Sequence, residues 1–163
     1  MTSTFVTASG TVFMFDLRSK IHRMIHQWVD EASTGGASIG SSPDGHWIAC
    51  GSDSGFVNVY SSSNVIQSVH PHPDKSIANL NSRANLITFH PSNEMLCIGS
   101  SKQPAAVRLY HIHGRRVFDN FPARVGRLGV ASSVAFSPGG RYMCVGQKSG
   151  RASLYAIGHY PTY

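Results

Sequence analysis

Nine histidines and three cysteines are the side chains in this 163-residue sequence best able to bind a metal. His70-Pro71-His72 and His111-Ile112-His113 are close pairs, and in a strand one intervening residue places both rings on the same face. Such a pair could offer two imidazoles to zinc, but no cysteine or carboxylate pair stands at a spacing that completes a tetrahedral set. Cys50, Cys97 and Cys144 fall in separate stretches. The histidines are therefore expected on exposed loops, with no metal and no cofactor. Serine is too frequent for a Ser-His-Asp group to be recognised without geometry. Gly35-Gly36-Ala37-Ser38-Ile39-Gly40 lacks the lysine and the following helix of a phosphate loop. No catalytic residue is assigned, and an enzyme is not expected.

Arginine carries the stronger signal. The chain has fourteen Lys and Arg against eight Asp and Glu, a formal net charge of +6, while charged residues are only 13% of the total. Arg108, Arg115, Arg116, Arg124 and Arg127 lie within twenty residues, opposed only by Asp119. Arginine forks match phosphate and carboxylate oxygens, and Phe118 and Phe121, interleaved with them, could stack bases. Arg115, Arg116, Arg124 and Arg127, in or beside turns and connectors, are the candidate contacts to RNA or to an acidic partner; the alternative is a solvated basic rim. Asp53, in Gly-Ser-Asp-Ser-Gly, is expected to cap its own turn.

The elements that must position these residues repeat. Ser42-Pro43-Asp44-Gly45 is a turn, Trp47 to Cys50 a short apolar strand, Ser52 to Gly55 a second turn, and Phe56 to Tyr60 a second strand. His90-Pro91-Ser92-Asn93 and Ser137-Pro138-Gly139-Gly140 open two further copies. The three prolines are 48 and 47 residues apart, and Gly51, Gly99 and Gly146 each follow their proline by eight. Gly10, Gly55 and Gly150 close the same inter-strand turn, where Gln103-Pro104-Ala105 must do so differently. A period of this length with short strands is that of a β-propeller blade. The fold expected is all-β: a WD-repeat-type β-propeller, as a partial ring of about three to four blades.

Taken in order, residues 1–29 form an incomplete blade with strands near 3–8, 11–17 and 21–26, lacking its innermost strand. A complete blade at 36–70 has strands near 37–41, 46–51, 56–60 and 64–69. The prolines in His70-Pro71-His72-Pro73 make 70–84 a connector. A second complete blade at 85–119 has strands near 85–89, 94–99, 106–110 and 115–118. An incomplete blade at 130–157 has strands near 131–136, 141–146 and 151–156. Trp47 is expected between blades, and Trp28, beside Asp30-Glu31, nearer the surface. Such a half-ring would expose sheet faces, so self-association of the isolated chain is expected.

Three cysteines cannot all pair internally. Cys97 and Cys144 each stand two residues before the matched glycine, where Ala49 stands in the first complete blade; cysteine there is a small packing residue, expected buried and free. No apolar run is long enough to cross a bilayer, and residues 1–20 do not read as a signal peptide. No membrane partner is expected.

The blades resemble WD repeats, although none carries the Trp-Asp dipeptide. The ordered set Trp28-Val29-Asp30-Glu31, Ala49 to Tyr60, Ala106-Val107-Arg108-Leu109, Phe118-Asp119-Asn120-Phe121-Pro122 and Val134-Ala135-Phe136-Ser137-Pro138 resembles, more narrowly, the C-terminal WD-repeat region of the U-three small nucleolar RNA-associated protein eighteen family. Ser41 departs from the pattern, standing where Phe89 and Phe136 precede the other two turns. The resemblance implies a non-catalytic scaffold of the small-subunit processome, a nucleolar ribonucleoprotein that processes small-subunit ribosomal RNA. Its partners would be other processome proteins, with precursor ribosomal RNA or small nucleolar RNA as candidates. The alternative is a WD-repeat adaptor in another nuclear complex.

Overall fold

A computed structural model describes residues 2–18, 23–31, 33–122 and 128–158. The described chain is four antiparallel sheets in succession. The first holds β1 (Thr2–Val6), β2 (Thr11–Asp16) and β3 (Arg23–Val29). The second holds β4 (Gly36–Ser41), β5 (Trp47–Ser52), β6 (Val57–Ser61) and β7 (Lys75–Ile77), with a short helix α1 (Ser62–Gln67) after β6. The third holds β8 (Leu86–Phe89), β9 (Met95–Gly99), β10 (Val107–His111) and β11 (Arg116–Val117), and the fourth β12 (Ala131–Phe136), β13 (Tyr142–Gln147) and β14 (Ala152–Ala156). Each sheet pairs its strands in chain order, and β1, β4, β8 and β12 lie side by side from sheet to sheet. This is the expected WD-repeat propeller, with its blades in an open row among the described residues.

Period-two alternation explains how the blades hold together. In β9 every residue is buried: Met95 and Cys97 face the fourth sheet, while Leu96 and Ile98 face the second. In β6, Val57 and Val59 pack toward the third sheet and Tyr60 toward the first. Three apolar layers thus lie between consecutive sheets. Among the described residues the fourth sheet has one covered face, and β14 alternates between exposed and half-buried residues, with Leu154 69% exposed.

The turns show why particular residues stand where they do. Gly10, Gly55 and Gly150 have φ of +82°, +93° and +80°, the left-handed region that a side chain disfavours. In the third sheet Ala105 takes that place at φ +53°, held by its N–H on the Leu128 carbonyl at 3.0 Å. Asn93 (φ +64°) similarly stands in for Gly45 and Gly140.

Most strands lie within a residue or two of the expected limits, with three differences. The segment near 64–69 is the helix α1, not the fourth strand of the second blade. That strand is β7, beyond the expected limit at residue 70 and inside the expected 70–84 connector. The reason is Asp74, whose carboxylate accepts the Ser61 N–H at 2.7 Å and the Asn64 amide at 3.4 Å, turning the chain at the end of β6. The outer strand β3 runs on to Val29, so Trp28 sits within a strand rather than a loop. It is only 2% exposed, against Tyr60 at 6.1 Å between ring centroids.

All three cysteines are free, but they differ in burial. Cys50 and Cys97 are each 1% exposed, and burial alone pushes the Cys97 thiol up to about 12. Cys144, expected to be buried, is half-buried, because its position faces the next sheet in line and the fourth sheet has none after it among the described residues. An exposed-thiol reagent should therefore modify Cys144 well before Cys50 and Cys97 in the native chain, since the thiolate is the reactive form. Equal rates at all three, read by mass spectrometry of peptides, would contradict this packing.

Candidate nucleic-acid interface

Of the four arginines singled out, the structure describes two. Arg115 lies in the turn joining β10 and β11, at φ +50°, with its N–H on the Ile112 carbonyl at 3.2 Å; its side chain is exposed. Arg116 opens β11 opposite His111 and is also exposed. Arg124 and Arg127 lie outside the described residues. Leu128, the next described residue, bonds Ala105 at the other end of the third sheet from Arg115. Arg108 has a structural role: its guanidinium donates to the Ala105 carbonyl at 2.7 Å and to its own strand at Val107, 2.9 Å.

The aromatic residues interleaved with these arginines are half-buried rather than presented as platforms. Phe118 meets His111 edge-on at 6.1 Å, and Phe121 meets Tyr155 at 5.1 Å. Both pack into the layer between the third and fourth sheets and line a shallow groove with Asn120 and Ile157. The histidine pairs are similarly occupied. His111 Nδ1 accepts the Gly114 N–H at 2.8 Å, burial lowers the His111 pKa, and His72 meets the Glu31 carboxylate at 2.9 Å. Asp53, expected to cap its own turn, instead pairs with Arg83 in the next connector, Oδ1 to Nε at 2.9 Å, while the turn is closed by the Gly55 N–H on the Ser52 carbonyl.

Two features were missed by sequence reasoning. The first is a buried polar lattice between the first and second sheets. Asp30 Oδ1 accepts from Asn58 Nδ2 at 2.9 Å and from the Tyr60 hydroxyl at 2.7 Å. The Tyr60 oxygen accepts the Glu31 N–H at 3.0 Å. Burial raises the Asp30 pKa against the pull of these donors, and burial beside that carboxyl raises Tyr60 as well. Residues 28 to 30 apart in sequence meet here, and spacing gives no hint of it.

The second feature is charge segregation. Beyond residue 94 the sequence has nine Lys and Arg against one acid, Asp119; up to residue 94 it has five against seven. The excess cations thus belong to the part of the sequence that holds the third and fourth sheets, and the one arginine–carboxylate pair and two histidine–carboxylate contacts described lie before β8. The signal was present in the sequence as a count by repeat.

Comparison with known proteins follows the same outline. The family of the WD domain, G-beta repeat matches residues 31–61, from Glu31 through β6. A mouse protein, U3 small nucleolar RNA-associated protein 18 homolog, is 36% identical over 95% of this chain. The human homolog is 35% identical over 96%, and the Saccharomyces cerevisiae U3 small nucleolar RNA-associated protein 18 is 34% identical over 95%. The chain spans 28% of the length of each of these three relatives. Over nearly its whole described length, then, the chain is a WD-repeat homologue of part of the U3 small nucleolar RNA-associated protein 18 family.

Proposed function

We propose that this chain acts as a non-catalytic scaffold in a nucleolar ribonucleoprotein that processes small-subunit ribosomal RNA. One observation carries the reading: 95–96% of the chain aligns with mouse, human and yeast proteins named for association with U3 small nucleolar RNA. The geometry agrees with a scaffold. Four thin sheets expose their turns at both ends, and the half of the chain holding the third and fourth sheets carries the positive charge. The partners proposed are other processome proteins, with precursor ribosomal RNA or small nucleolar RNA reached through Arg115, Arg116, Arg124 and Arg127.

The test is recovery of the tagged chain from nucleolar extract with U3 small nucleolar RNA and precursor ribosomal RNA. Enrichment of both over an unrelated WD-repeat protein is expected. Enrichment of neither, with recovery in another nuclear complex, would replace this reading by that of a general WD-repeat adaptor. Replacing the four arginines with Gln should lower RNA recovery and flatten its salt dependence. Arg115 and Arg116 are exposed, and replacing these two should change folding, followed by circular dichroism, by less than about 0.5 kcal/mol.

A further inference from the structure

The turn between β9 and β10, the residues leading into β12, and the turn between β13 and β14 are joined into one platform. The Ala105 N–H donates to the Leu128 carbonyl at 3.0 Å, and Pro104 bridges to Val130. The Lys148 N–H donates to the Val130 carbonyl at 2.9 Å, and the Gly129 N–H donates to Gln147 Oε1 at 2.8 Å. Lys102, Gln103 and Pro104 are exposed on one side of this seam, and Lys148, Ser149, Gly150 and Arg151 on the other.

Resting on the ribonucleoprotein reading above, we propose that this platform binds the phosphate backbone of single-stranded RNA through Lys102, Lys148 and Arg151.

Three observations carry it. First, residues 100–106, 128–130 and 147–151 contain no Asp or Glu, and no ion pair among the described residues involves these three cations. Second, the equivalent turn of the second sheet has the opposite character. There Asp53 follows Ser52 and is neutralised by Arg83 at 2.9 Å, whereas in the fourth sheet the residue after Gln147 is Lys148. The same backbone turn therefore presents a paired acid in one blade and an unpaired cation in another. Third, the platform has no exposed large hydrophobic residue; those described lie elsewhere, such as Phe5, Val29, Ile66, Tyr142 and Leu154. A protein partner would need an apolar or aromatic anchor at the centre of its contact. A phosphate chain needs only cations, hydroxyls and backbone N–H groups at a fixed separation. The cross-platform hydrogen bonds fix that separation. Because this end of the sheets is opposite Arg115 and Arg116, the site is distinct from theirs.

The experiment is a salt titration of the full chain against fluorescein-labelled oligouridylate, followed by anisotropy, for the wild type and for K102Q/K148Q/R151Q. The triple variant should lose at least tenfold in affinity at low salt. Its slope of log affinity against log salt should be shallower by about 2, since each phosphate contact on a single strand contributes about 0.7. Unchanged affinity and slope in the triple variant would overturn the proposal while leaving the ribonucleoprotein reading to the co-purification test. Wild-type binding to poly-glutamate but not to oligouridylate, weakened by the same substitutions, would assign the platform to an acidic protein and also overturn it. Should the triple variant lose its circular dichroism signal, K102Q, K148Q and R151Q taken singly should each lower the slope by about 0.7, and three unchanged slopes would overturn it.

Discussion

Replacing Asp30 with Ala should cost the fold about 3 kcal/mol, by far more than removing any exposed carboxylate. Asp30 is 3% exposed, and its Oδ1 is the acceptor for both the Asn58 amide and the Tyr60 hydroxyl. Asn58 has other partners: it donates to the Glu31 carbonyl at 2.7 Å and accepts from Ser76 at 2.6 Å. Tyr60, fully buried, would keep only the N–H it receives from Glu31, and its own proton would be left without an acceptor. An unsatisfied buried donor costs about 1–3 kcal/mol, and bonds to a charged acceptor lie at the upper end. Asp30→Asn keeps a carbonyl for the two donors and should lose about half as much. The two proteins should also differ with pH. The folded carboxyl holds its proton to a higher pH than the unfolded one, whose pKa is near 3.8. Between these values the native state binds more protons, so this group's contribution falls as pH rises and levels off above the folded pKa. The stability of wild type relative to Asp30→Asn should therefore decline from about pH 4 upward. Urea unfolding at a series of pH values measures both effects. A loss under about 0.5 kcal/mol for Asp30→Ala would show that the lattice is not a stabilising feature.

The period of the fold was legible because its markers are local. Pro43, Pro91 and Pro138 with their glycines specify turn and strand within ten residues, and the strands follow. What could not be read depends on partners far along the chain. The helix α1 replaces a strand because Asp74 accepts the Ser61 N–H, thirteen residues upstream. Trp28 is buried because Tyr60, on another blade, provides the wall it packs against. Ala105 adopts a glycine's conformation because Leu128 receives its N–H. The candidate site fared similarly. Among the candidate arginines, Arg115 and Arg116 stand exposed at the two-residue strand β11, too short for an alternation pattern to mark, and Arg124 and Arg127 lie outside the described residues. The cations that one end of the sheets does bring together, Lys102 and Lys148, are 46 residues apart in the sequence. Their turns are joined through the backbone of Leu128 and Val130.

The repeated glycines allow a comparison that separates repeat grammar from local packing. Gly51, Gly99 and Gly146 hold the same position in three blades, yet a methyl group at each would meet different neighbours. At Gly51 it would run into the Ala84 carbonyl oxygen and lie 2.6 Å from Ser38 Oγ. Neither can easily withdraw. The Ala84 carbonyl accepts the Ser38 hydroxyl at 2.6 Å, and the Ala84 N–H donates to the Ser52 carbonyl at 2.9 Å, tying the second sheet to the connector that enters the third. At Gly99 the nearest atoms are the Ala106 oxygen at 3.1 Å and Leu86 carbons at 3.4 Å, which need give only a few tenths of an ångström. At Gly146 the obstacle is Ser133 Oγ at 2.5 Å, the end of a side chain that can rotate. Gly51→Ala should therefore cost about 3 kcal/mol, the upper range of overpacking. Gly99→Ala and Gly146→Ala should each cost about 1 kcal/mol or less, because loss of chain entropy in the unfolded state offsets roughly 0.4–1 kcal/mol. Thermal or urea unfolding of the three variants gives the order directly. Equal losses at all three positions would mean that the repeat itself demands glycine. A loss confined to Gly51 would mean that the demand comes from the Ala84 backbone, in the connector between the second and third sheets.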